Sequence, residues 1–227
     1  MQKYEKALLA RFTDLCRHQD TFDVWDTIID YVLFPYSENY QIDDIEKIIC
    51  RLHHNDRLDL LEECRRIILN CQEEHPYKDL LGLFHSKHCA NKKEGQYFTP
   101  VDLSMLLAGL VTSNDCEFGK KVLDPACGSG TLLLAAGRQN PHFLLMGSDR
   151  SHLCCKMALC NLLIHGLVGE IAHLDALTNR FCQVYYIGCR ENNTGDMELF
   201  YIHSFDSNKS LIHLKTKEEW KQIRPQQ

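Results

Sequence analysis

One stretch limits what this chain can become more than any other. Residues 121–134 read KVLDPACGSGTLLL: a short apolar run, an acid, a turn carrying Gly128 and Gly130, then an apolar helical run. A strand that passes into a helix through a glycine turn is the first half of a β–α–β unit. The pattern repeats downstream. Phe143 to Gly147 reads as a second strand ending near Asp149, Ser151 to His165 as a helix, and Ile171 to Leu174 as a third strand ending in Asp175. Strands alternating with helices predict an α/β fold with a parallel, doubly wound sheet.

The residues before this unit read differently. Tyr4, Leu8, Leu9, Phe12 and Leu15 recur at helical spacing. Asp23 is placed to cap a helix over Val24 to Phe34, which Pro35 stops. Further helices fit Asp43 to His53, Leu58 to Cys71, Leu80 to His85 and Asp102 to Leu110. The expected organisation is an N-terminal helical region over 1–78, a truncated sheet domain over 79–214, and a polar tail over 215–227. Trp25, Tyr31 and Tyr36 serve either a partner surface or the core, and the core is the expected role. Beyond Arg180, two β-rich runs, Gln183 to Ile187 and Met197 to Ile202, flank Asn192 to Asp196 and read as a hairpin.

The glycine turn has a chemistry. Gly128 and Gly130 let the backbone bend sharply and a ligand come close. The helix start behind them offers free N–H groups and the positive end of its dipole. No GKS or GKT follows, so it is not a phosphate loop. Position 133 is Leu rather than Gly, so the dinucleotide fingerprint is absent too. Asp124 suits a cationic ligand group, Asp149 suits two ribose hydroxyls, and Asp175 suits an adenine amino group. A carboxylate at a strand end is more often a helix cap, so each acid alone says little. An ammonium, a ribose and an adenine in one molecule describe S-adenosylmethionine.

Two motifs together also resemble a known family. Gly95 to Pro100 (GQYFTP), followed by Asp124 to Thr131 (DPACGSGT), is similar to the N6-adenine DNA methyltransferases, above all to modification subunits of type I restriction systems. The likeness runs from about Asp79 to Thr178. It implies a Rossmann-like S-adenosylmethionine-dependent methyltransferase sheet preceded by helices. By that resemblance Tyr97, Phe98, Thr99 and Pro100 lie against the methionine part of the cofactor. Asp124, Ala126, Cys127, Gly128, Gly130 and Thr131 form the cofactor turn. Asp149 with Arg150 holds the ribose, and Asp175 with Ala176 the adenine.

One family feature is missing. Its signature, Asn, Asp or Ser followed by Pro-Pro and an aromatic residue, does not occur, so no catalytic residue is assigned. Asn140-Pro141 precedes the second strand and reads as a turn. Asn192 or Asn193 is a degenerate substitute or, as expected here, part of a hairpin loop. The net charge of −6 at pH 7 argues against DNA binding by bulk positive charge. Lys87, Lys92, Lys93, Lys120 and Lys121 are the one local basic cluster. The resemblance therefore implies DNA reached through a partner, a specificity subunit or a homo-oligomer. The alternative is an inactive relative that binds the cofactor or a protein. A methyltransferase for another substrate has nothing specific in its favour. Twelve cysteines without a CxxC pair predict reduced thiols in a cytoplasmic chain with no metal site. No apolar run reaches the roughly 18 residues that a membrane span needs.

Overall fold

The computed structural model describes residues 1–38, 41–53, 56–89, 99–112 and 118–213. Helices come first: α1 (Gln2–Leu15), α2 (Thr21–Leu33), α3 (Ile42–Ile49), α4 (Arg57–Glu74), α5 (Leu80–His88) and α6 (Val101–Val111). Then β1 (Lys121–Asp124), α7 (Thr131–Gln139), β2 (Leu144–Asp149), α8 (His152–Ile164), β3 (Gly169–Asp175), β4 (Arg180–Glu191) and β5 (Met197–Ser204) follow. The predicted elements are present with small shifts at their ends. Asp20, not Asp23, caps α2, because it stands one residue before the helix and its carboxylate accepts from the Phe22 N–H at 2.7 Å. The helix expected to reach His53 stops at Ile49.

The sheet order is β1-β2-β3-β4-β5. The first three strands are parallel and the last two antiparallel, so the sheet is mixed, where a parallel one was expected. Only residues 176–179 join β3 to β4. A crossover to a parallel strand needs about a dozen residues, so the chain must turn straight back. The expected hairpin is β4 and β5. Its turn is stitched by Asn192, whose side-chain oxygen accepts from the N–H groups of Thr194 and Asp196 at 3.0 and 2.9 Å.

The two faces of the sheet are covered unequally. Val122, Leu145, Ile171, Tyr185 and Ile187 point into the large core with α7, α8 and the N-terminal helices. Met146, Ala172, Leu174 and Val184 point the other way, under Ile212 of the C-terminal turn. Buried Glu170 holds that turn by accepting from the Ser210 hydroxyl at 2.6 Å and the Leu211 N–H at 3.0 Å. Among the described residues β1 is an outer strand, and Leu123 on it is 52% exposed.

The N-terminal helices are built into the main core. Trp25 is fully buried, stacks on Phe84 at 4.7 Å between ring centroids, and donates its indole N–H to the Met157 sulfur at 3.4 Å. Tyr31 is buried and Tyr36 packs against the same cluster, so all three aromatic residues take the core role. Lys156 lies buried in the middle of α8 and pairs with Asp26 and, at 2.7 Å, with Asp30, both on α2. A buried cation is retained only where acids meet it. No disulfide joins the eleven described cysteines, six of which are buried. Among the described residues no helix is long and apolar enough to cross a membrane.

Candidate cofactor site

The three acids meet on one rim. Asp124, Asp149 and Asp175 end β1, β2 and β3, which run parallel. Asp124 is level with Gly147 and Asp149 is level with His173. Each acid therefore stands two residues beyond its neighbour. At about 3.3 Å per residue and about 4.8 Å between strands, the rim rises in steps of about 8 Å.

Between β1 and α7 the chain makes the expected turn. Gly128 and Gly130 both have left-handed backbone, at φ 53° and 86°. A Cβ at Gly130 would stand 3.2 Å from that of Ala158, so glycine is needed there for space as well. The Cys127 N–H donates to the Ser148 carbonyl at 2.8 Å, and the Ser148 hydroxyl to the Pro125 carbonyl at 3.0 Å. These bonds seat the turn on β2. Cys127 faces the core, where burial pushes its thiol well above the usual range. It is a packing residue of the turn, not a reactive one.

The acids are used differently. Asp149 accepts from the Gly128 N–H at 2.9 Å with one oxygen and from the Ser151 N–H at 2.8 Å with the other. It ties the turn to the start of α8. Asp175 accepts from the N–H groups of Leu177 and Thr178 at 2.9 and 3.3 Å, and these bonds hold its carboxyl below the usual range. Asp124 accepts from the Ala126 N–H at 3.1 Å through Oδ1. Its Oδ2 is buried and has no hydrogen-bond partner among the described residues. Burial foremost, with the charge of Asp149 adding, raises the Asp124 pKa, against the Ala126 N–H, which lowers it. A buried, unpaired carboxylate oxygen is costly and marks a place where a donor belongs.

Other expected residues fall as follows. Thr131 opens α7, and Ala126 lies in the turn. Arg150 is exposed, and its carbonyl receives a hydrogen bond from the His173 ring at 3.1 Å. Ala176 is exposed beside Asp175. Thr99 is half-buried, and Pro100 caps α6, which packs on α7. Tyr97 and Phe98 lie outside the described residues, as do Lys92 and Lys93. Lys87 pairs with Glu5 at 3.0 Å, and Lys121 stands at the amino end of β1, away from the rim.

Two groups were not foreseen. Asp79, 4% exposed, sends its carboxylate from the start of α5 into the back of the turn. Its signal in the sequence is that of an ordinary helix cap. At the rim, His152 stacks on His173 at 5.1 Å between centroids and hydrogen-bonds the Tyr185 hydroxyl at 2.7 Å, with Gln183 on the same hydroxyl. This cluster is assembled from three separate elements, so spacing along the chain does not show it.

An α/β sheet with a glycine turn and acids at its carboxyl edge is the architecture of a nucleoside-binding methyltransferase fold. A solved structure described as a putative class I S-adenosylmethionine-dependent methyltransferase from Listeria monocytogenes has this fold. It matches at a TM-score of 0.53 and 18% identity, covering 86% of this chain and 62% of its own. The chain belongs to the N-6 DNA Methylase family, whose model matches residues 75–194. Similar proteins include the type I restriction enzyme MjaVIII methylase subunit of Methanocaldococcus jannaschii, 40% identical over 78 residues, which are 33% of this chain and 13% of that protein. The MjaVII methylase subunit of the same organism is 35% identical over 99 residues, 41% of this chain and 16% of that protein. The MpnII methylase subunit of Mycoplasma pneumoniae is 29% identical over 130 residues, 52% and 22%. The chain thus spans less than a quarter of the length of these relatives.

Proposed function

We propose that the chain binds S-adenosylmethionine along the β1–β3 rim and is the cofactor-binding core of an N6-adenine DNA methyltransferase that reaches DNA with a partner polypeptide. The observation that carries this reading is the buried Asp124 oxygen, which has no partner among the described residues and stands beside the glycine turn. An ammonium donor answers it with a charge-assisted bond. Two steps of about 8 Å give an extended ligand about 16 Å of rim, the reach of a nucleoside carrying an amino-acid chain. When bound, the cofactor supplies a sulfonium methyl group to a nucleophilic nitrogen. The chain's own part is to hold the two ends apart. Asp124 neutralises the amino-acid end, Asp149 and the Gly128 turn line the middle, and the Asp175 segment borders the base.

Dependence on a partner is supported by the outer position of β1 beside α6. That helix exposes Leu103, Leu106, Leu110 and Val111, and an apolar groove of about 240 Å³ runs between it, β1 and α7. A helix apolar on most of its sides ordinarily lies under another layer.

A second reading, a cofactor-binding relative without catalysis, is favoured by one observation. Asn192 and Asn193 sit at the far end of β4, which runs antiparallel to β3, and so on the opposite rim from Asp124. They cannot replace the missing signature. Titration calorimetry tests the shared claim: heat with micromolar affinity is expected, and none at millimolar cofactor would falsify it. Transfer of labelled methyl to DNA, with and without a partner subunit, separates the readings. The isolated chain should transfer little, and adenine labelling that needs the partner supports the first.

A further inference from the structure

We propose that Asp79 is a positioning residue that sets the shape of the cofactor turn from behind, so that the docking of α5 and the affinity for the cofactor are coupled. The proposal rests on the cofactor reading above and adds to it a residue from outside the sheet. One Asp79 oxygen accepts from the Gly82 N–H at 2.7 Å and from the Asn161 amide at 2.9 Å. The other accepts from the hydroxyls of Ser129 and, at 2.6 Å, Thr131. The same Asn161 amide nitrogen donates to the Ser129 carbonyl at 2.8 Å. Asp79, Ser129 and Asn161 are all buried.

Helix capping alone does not explain this arrangement. A cap needs one acceptor for the first turn of α5, which the Gly82 N–H takes up. The second oxygen is spent on the turn between β1 and α7. Ser129 lies between the two left-handed glycines, so fixing its side chain and its carbonyl fixes the peptides on either side. Those peptides direct the N–H groups that a ligand meets. Asp149 holds the turn through the Gly128 N–H on the ligand side, and Asp79 holds it from the core side. Gly82 completes the fit. A Cβ there would collide with the Ser129 hydroxyl and the Asp79 carboxylate, so α5 comes this close only as glycine.

Asp79→Ser tests the two roles separately, because serine still caps a helix but is too short to reach the turn. Cofactor affinity is read by calorimetry well below the unfolding temperature, with circular dichroism confirming the fold. Amide hydrogen exchange at Gly128 to Thr131 is read without cofactor. The folded variant is expected to bind S-adenosylmethionine at least tenfold more weakly and to exchange faster at those amides. A folded Asp79→Ser with wild-type affinity and exchange overturns the proposal. Should that variant not fold, Thr131→Val against Thr131→Ser decides. Serine should restore the affinity that valine loses, and equal affinities overturn the proposal. Failure of the wild type to bind sinks the cofactor reading instead, and the exchange measurement alone then decides for or against the clamp.

Discussion

Asp124→Asn should strengthen the free protein while weakening its hold on the cofactor. Ionisation of Asp124 is unfavourable in the free protein: burial raises its pKa, the charge of Asp149 adds to this, and the Ala126 N–H works against them. Since the folded-state pKa lies above the unfolded one, the ionised group subtracts from stability above the raised pKa. That penalty fades as pH falls toward the unfolded value. Asparagine keeps the acceptor for Ala126 and removes the charge. At pH 7.5 the free variant should gain about 1 kcal/mol, because the amide that replaces the carboxylate carries no charge to desolvate or to set against Asp149. For a chain of this size that is about 2–4 °C in unfolding midpoint. The difference should shrink as pH is lowered through the Asp124 titration. With S-adenosylmethionine the sign reverses. Losing a charge-assisted bond costs about 2 kcal/mol, roughly thirtyfold in Kd. Scanning calorimetry with and without cofactor, at pH 7.5 and 5, measures both. A free variant no more stable than wild type, with unchanged Kd, refutes the reasoning.

Two further outcomes follow from the fold. Lys156→Met leaves Asp26 and Asp30, each about a quarter exposed, with Arg51 alone. It should cost about 2 kcal/mol and lower the midpoint of one shared transition seen by Trp25 fluorescence and circular dichroism, whereas separate transitions would contradict the common core. Asn192→Ala should loosen the β4–β5 turn yet leave cofactor affinity and any partner-dependent transfer unchanged, and a folded variant that loses transfer would return Asn192 to the site.

Much of this could be read along the chain because it is local. The apolar spacing of α1, α2 and α4, the glycines of the turn and the acids at three strand ends are periodicities or near neighbours. What could not be read depends on pairing across distance. Asp79 meets Thr131 fifty-two residues away, and its carboxylate looks like a simple cap until the second oxygen is followed. Lys156 and Asn161 are polar residues inside an apolar helix. Their position hints at partners, yet nothing in spacing says that Asp30 and Asp79 are those partners. Asp23 was the expected cap because the apolar run begins at Val24, whereas Asp20 is bonded one turn-step earlier.

Strand direction decides more about function than any single residue. The four-residue link after Asp175 forces β4 to run back, so its end carries residues 188–193 to the amino rim of β1–β3. Seven residues of β3 at about 3.3 Å each put that end about 20 Å from the acids. What reaches the cofactor rim instead is the start of β4, with Arg180 and Gln183, and the end of β5, with Ser204 and Phe205. None of these is an Asn, Asp or Ser followed by proline. Among the described strands, the open flank of the rim is the outer edge of β1, next to Asp124. Among the described residues, then, no strand end at the rim carries the family's signature, and the edge of β1 beside Asp124 is the flank left open to an incoming nucleophile. A loop of the described hairpin acting by itself is excluded by the direction in which β4 runs.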